Sequence, residues 1–297
     1  MTTTKWWLRS GLLIAGVPAL TGCSSTSGNY QCPPNTEVAW AGQLTDGGRY
    51  DGGHIEYAEC RVACGVVGAC ACSIVDAGVL TCSVCCGGGR APPGLLALSA
   101  VDGSAGSWLA RMAELEAAAV PAFAQLADEL DAHHLDGYAH HARQAALEEV
   151  SHARAVTRLA LGFGHCPGAL RLAPSDEVRS LEEIAVDNAS EGCGRELFGA
   201  VLNRWQGMHA ADARVRAVMG SIADDEHSHA RYSFALAEAL SSRLSVAQRR
   251  RTKEAQERML SRLAHEDSPG STRQLLGLMD IEQVASTARA LLENHRL

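Results

Sequence analysis

The sequence predicts an all-α protein: a four-helix bundle with a long crossover and extra C-terminal helices, preceded by a small disulfide-rich N-terminal module. Three observations predict it. From about Ser107 onward Ala, Leu, Glu and Arg dominate, a helix-forming composition. Two Glu-x-x-His units, Glu149-Val-Ser-His152 and Glu226-His-Ser-His229, each follow a solitary glutamate on an apolar helical stretch, Glu116 and Glu196. Eight cysteines crowd into residues 32–86, where helical periodicity is weak.

Residues 1–22 read as an export signal. Lys5 and Arg9 flank its start, and the apolar run Gly11–Leu20 is too short to stay in a bilayer as a span. Leu20-Thr-Gly-Cys23 resembles a bacterial lipobox, which implies lipidation of Cys23 and anchoring in the cell envelope. Ser24 then favours the outer membrane, on its periplasmic or surface side. Without Lys5 and Arg9 the formal charge moves from -8 to about -10, because 24 basic groups face 34 acidic ones. No basic stripe is present, which argues against a nucleic-acid partner. Residues 23–31 form a short tether rich in Ser, Thr and Gly.

The module at 32–86 carries Cys32, Cys60, Cys64, Cys70, Cys72, Cys82, Cys85 and Cys86. It has too few large apolar residues for a core, so cross-links must hold it. Cys82-x-x-Cys85 and Cys60-x-x-x-Cys64 have zinc-ligand spacing, but an oxidising compartment favours four disulfides. Gly87–Gly94 breaks the chain, and residues 87–106 are the linker.

The bundle proper is expected over 107–241, with helices near 107–131, 136–161, 178–211 and 213–241. Asp212 is the expected amino cap of the last. The joint between the second and third is the crossover. Residues 242–297 add helices near 245–264 and 271–295. Pro121 cannot donate to the Ala117 carbonyl, so a kink or bulge is expected beside Glu116.

Residues three apart on a helix share a face with a rise of about 4.5 Å, so each Glu-x-x-His can reach one ion. Glu, Glu-x-x-His, Glu, Glu-x-x-His on four helices is the ligand set of a di-metal site. The expected ligands are Glu116, Glu149, His152, Glu196, Glu226 and His229, and the four glutamates are also the candidate catalytic groups. Four carboxylates carry a charge that two divalent ions cancel; mixed O and N donors suit iron, manganese or zinc, and carboxylate bridges with open positions favour iron or manganese redox chemistry, iron first. Glu148 and Asp225 each precede a ligand glutamate. Asp225 is placed to accept from the free ring nitrogen of His152, and Glu148 from that of His229.

These residues resemble the ferritin-like superfamily, broadly the rubrerythrin-type di-iron carboxylate bundles and more narrowly ferritin-like lipoproteins of myxobacterial type. Glu116-Ala-Ala-Ala-Val-Pro-Ala-Phe123, Glu148–Ala153, Glu191–Glu196, Trp205-Gln206 and Ile222–Ala230 carry the resemblance. It implies a di-iron centre on the six ligands and an oxidoreductase that reacts with peroxide or dioxygen. Ser151 and Ser228 stand where many di-iron oxygenases place arginine, and the rubrerythrin pair of Cys-x-x-Cys knuckles is missing. The electron donor is thus left open. Ferroxidase or metal-sequestering activity is one alternative; a structural lipoprotein with a metal staple is another. A membrane contact through the lipid is expected, and a homodimer is compatible with the sequence.

The remaining features have blander readings. Cys166 and Cys193 are expected to pair, a bridge worth about 3.5 kcal/mol in chain entropy. His133, His134, His140 and His141 form a polar corner between helices. Tyr138, Tyr232 and Trp205 read as core rings before redox groups. Arg249–Arg251 reads as a surface charge run.

Overall fold

The computed structural model describes residues 38–39, 69–75, 79–84, 89–99, 101–172, 178–265 and 270–297. The export signal, Cys23, the tether and the cysteine side chains of 32–86 lie outside the described residues. Of that module only strand pairing is described: β1 (Val38–Ala39), β2 (Ala69–Val75) and β3 (Val79–Val84) form an antiparallel sheet in the order β1-β3-β2, with Cys72 directly across from Cys82. A second ribbon pairs β4 (Leu95–Ala97) in the linker with β5 (Arg171–Leu172).

The rest is helical. Helix α1 (Ala105–Ala132) starts at Ser104, whose hydroxyl accepts from the Ser107 amide; α2 (Asp136–Gly162) returns beside it. Ser180 and Glu183 close a capping box on α3 (Leu181–Asp187). A nine-residue π-helix, Asn188–Glu196, continues directly into α4 (Leu197–His209). Helix α5 (Ala213–Ser241) is capped by Asp212, which accepts from the amides of Arg214 and Val215. Helices α6 (Val246–Leu263), α7 (Gly270–Leu276) and α8 (Ile281–Asn294) complete the chain, with capping boxes at Ser245/Gln248 and Asp280/Gln283.

Three expectations need correction. The third helix does not run unbroken over 178–211: it starts at Leu181 and changes to π geometry across Asn188–Glu196. The bulge expected at Pro121 falls there instead, for α1 passes through Pro121 as α-helix. The stretch 271–295 is two helices, because Gly277 adopts φ +66 and a Cβ there would sit 2.8 Å from Ala210 Cα.

Helix α1 packs along α2, α5 packs along α4 and the π segment, and α2 meets α5. Helix α6 covers the π segment from outside, and α8 packs on α6. One apolar cluster joins the start of α1 (Trp108, Leu109, Met112), the end of α2 (Val156, Leu159) and the start of α5 (Val215, Met219, Ile222). Another joins the far half of α1 (Phe123, Leu126, Leu130) to the start of α2 (Ala139, Ala142) and the end of α5 (Leu236, Leu240). Between these clusters, at the matching level of every helix, lie Glu116, Glu149, His152, Glu226 and His229. A polar layer is thus sealed on both sides by hydrocarbon. No helix among the described residues is long and apolar enough to cross a membrane.

Candidate metal centre

Each ligand position follows from local helix geometry. In α2 and α5 the Glu-x-x-His spacing puts both side chains on the buried face. Glu116 lies on the buried stripe of α1 with Met112, Val120 and Phe123. Glu196 closes the π segment, whose extra residue per turn re-aims the chain. Two glycines permit that bulge to nest. A Cβ on Gly192 would lie 2.6 Å from Ser233 Cβ on α5, and one on Gly194 would lie 3.0 Å from Met259 Cγ on α6.

All four glutamates are fully buried, and His152 and His229 are 4% and 3% exposed. Two quartets of donor atoms converge. Glu116, Glu149, His152 and Glu226 place one atom each within 4.8 Å of one another, as do Glu149, Glu196, Glu226 and His229. Glu149 and Glu226 therefore belong to both. His152 Nδ1 lies 3.5 Å from Glu149, 3.7 Å from Glu116 and 3.7 Å from Glu226. His229 Nδ1 lies 3.1 Å from Glu149 and 3.4 Å from Glu196.

The outer ring nitrogens are engaged crosswise. His152 Nε2 sits 3.0 Å from Asp225 Oδ2, and His229 Nε2 sits 2.8 Å from Glu148 Oε2. An imidazole that donates from Nε2 to a carboxylate leaves the Nδ1 lone pair facing inward. Helix α2 thus orients the histidine of α5 and α5 orients that of α2.

The strongest property of the site is what its inner atoms lack. Both oxygens of Glu116, Glu149, Glu196 and Glu226, and Nδ1 of both histidines, are buried without a hydrogen-bond partner. A buried ionised group without compensation costs several kcal/mol, so such a cluster is tolerable only with protons or cations in it. Burial, with Glu149 nearby, drives the Glu116 carboxyl well above its usual range; burial and the other three carboxylates do the same to Glu226. Burial also opposes ionisation of Glu149, but the adjacent imidazoles of His152 and His229 favour its charged form and hold it at about 2. Burial opposes the His152 charge, yet Glu149, Glu116 and Asp225 lift it to about 9. The donor set fits divalent cations with mixed O and N preference.

The bridge expected between Cys166 and Cys193 is absent. Cys193 is a free thiol, fully buried, which burial pushes up to about 12. The π turn points it inward beside Asn188, whose amide reaches its sulfur at 3.9 Å, while Cys166 lies in the loop after α2 and is disulfide-bonded elsewhere.

The other candidates stand apart from the quartets. His133 contacts the Arg179 carbonyl at 2.8 Å, and His141 stacks on Tyr232 with 6.0 Å between centroids. Tyr232 donates to the Tyr138 carbonyl, and Trp205 stacks on His209 in the outer cluster with α6 and α8. Arg249 caps the carbonyls of Ser241 and Leu244, Arg250 pairs with Glu254, and Arg251 pairs with Glu182.

One residue beside the site escaped sequence reading. Arg90, in the supposed break between modules, is 1% exposed. Its guanidinium bonds Asp187 at 2.8 Å and lies 5.6 Å from the Phe123 ring centre, and that ring meets His229 edge-on at 5.1 Å. A lone arginine amid glycine and proline was the available signal. No protein-family model matches this chain, and comparison with curated proteins and with solved structures finds no match either.

Proposed function

We propose that the chain is a ferritin-like four-helix bundle holding a di-iron carboxylate centre, anchored in a bacterial envelope through Cys23, and acting as an oxidoreductase toward peroxide or dioxygen. The observation that carries the reading is the set of orphaned donor atoms, arranged as two quartets that share Glu149 and Glu226. Glu116 and Glu196 would each serve one ion, the shared pair would bridge, and His152 and His229 would each add one nitrogen. Four carboxylates balance two divalent charges. Bound iron supplies two electrons, one per ion, to an oxidant.

The chain's own contribution is fourfold. Its four glutamates supply the buried carboxylate oxygens that would hold the ions. Asp225 and Glu148 hold the rings and fix their tautomer. Phe123 and the apolar layers above and below exclude water. Glu116 and Glu226, driven toward the protonated form when no cation is near, can release protons as ions enter.

The test is anaerobic loading of the purified protein with ferrous iron, then addition of peroxide with excess ascorbate present to return the oxidised centre to the ferrous state. Binding of about two ions per chain and repeated turnover support the proposal. Oxidation followed by iron retention without turnover points to sequestration. Tight zinc with no redox response overturns the oxidoreductase reading.

A further inference from the structure

The two quartets have the same chemistry, three carboxylates and one imidazole each, yet their surroundings differ. Linker residues Gly89–Ala91 lie across the face between α1 and the π segment. Gly89 takes φ +40, and a Cβ there would be 3.1 Å from the carbonyl of Leu115, the residue before Glu116. The Ala91 amide donates to Glu191 at 3.1 Å. Between them Arg90 reaches inward, bonds Asp187 and Asn188 where the π segment begins, and ends over Phe123. A single aromatic ring separates this guanidinium from His229.

We infer that Arg90 is a positioning residue that makes the two cation sites unequal, weakening the Glu196–His229 site relative to the Glu116–His152 site. The inference rests on the di-metal reading above. A fixed positive charge in a dry interior repels a nearby cation, and low dielectric keeps that repulsion strong. Asp187 offsets part of it, but Asp187 is shared with Arg179 at 3.4 Å. Burial works against the Arg90 charge, while Asp187, with Glu196 and Tyr232 adding, holds it above its usual range. The main influences on Glu116 are burial, the carboxylates of Glu149 and Glu196, and His152; Arg90 is not among them. An ordered pair of sites suits stepwise loading, in which the tight site fills and the weaker one exchanges.

The experiment is a cobalt(II) titration of the full-length protein, read by visible absorption. Wild type should bind in two steps separated by about tenfold in affinity. Glu196→Gln should abolish the weaker step and Glu116→Gln the tighter one. Arg90→Met, which keeps length and packing, should bring the two steps within about threefold, and Arg90→Lys should restore the gap. Asp187→Asn, which leaves the arginine uncompensated, should widen it. Opposite shifts from Arg90→Met and Asp187→Asn cannot arise from general damage to the fold. An unchanged ratio in both variants overturns the inference while the di-metal reading stands. Failure of wild type to bind two ions overturns the di-metal reading itself.

Discussion

The two halves of the candidate site bring the same kinds of donor together by different backbones. In α1 and α2 the chain is regular α-helix, even through Pro121, and spacing alone aims Glu116, Glu149 and His152. In the second half α5 is equally regular, but Glu196 comes from a π segment bracketed by α3 and α4. The second half also carries α6, packed closely enough that a Cβ on Gly194 would press on the Met259 side chain. The difference teaches that a two-fold ligand pattern does not require two-fold packing. The extra outer helix is accommodated by the bulge, and the bulge keeps Glu196 in reach.

Substitutions can break this comparison at graded depth. The largest effect is expected from Glu149→Ala, since Glu149 belongs to both quartets. Metal analysis should show both ions lost, whereas Glu116→Ala should spare the Glu196–His229 ion; equal losses from both would contradict the shared-ligand geometry. Next come the crossed supports. Glu148→Gln and Asp225→Asn should each weaken metal binding about 10–100-fold, with Asp225→Asn the milder because its side chain is 47% exposed against 30% for Glu148. Equilibrium titration of both variants decides that order.

Gly192→Ala tests the bulged half alone. Overpacking against Ser233 should cost about 1–3 kcal/mol in thermal or denaturant unfolding, and should perturb the Glu196 ion before the Glu116 ion. No change in stability would mean the π segment is not held by this contact.

The smallest effect is a pH slope in the metal-free protein. Glu116 and Glu226 have carboxyls raised by burial and by neighbouring carboxylates, so their contribution is full at low pH and is lost as pH rises through those raised values. His152, raised to about 9, adds in the same direction: full below its unfolded value, lost as pH climbs through about 9. Glu149, held at about 2, contributes above its unfolded value and loses that contribution as pH falls through about 2. Melting temperature against pH should therefore fall on the alkaline side without metal and stay flat with it. Glu226→Gln should flatten the metal-free curve.

The helical class and the Glu, Glu-x-x-His, Glu, Glu-x-x-His pattern of buried donors were legible in the chain, because helix periodicity is local and a carboxylate at a core position stands out in it. The sequence also placed Glu148 and Asp225, since each immediately precedes a glutamate of known facing. Only the tertiary structure decided three other matters. The π geometry of Asn188–Glu196 depends on Ser233 and Met259, which lie 37 and 63 residues beyond Glu196 and leave no mark on its own periodicity. The free state of Cys193 depends on which way that bulge turns its thiol, so the expected pairing with Cys166 misassigned it. Arg90 acquired its place because Asp187 and Phe123, remote in sequence, together make a slot that can hold a buried guanidinium. Local spacing speaks for the ligands; long-range packing alone speaks for what surrounds them.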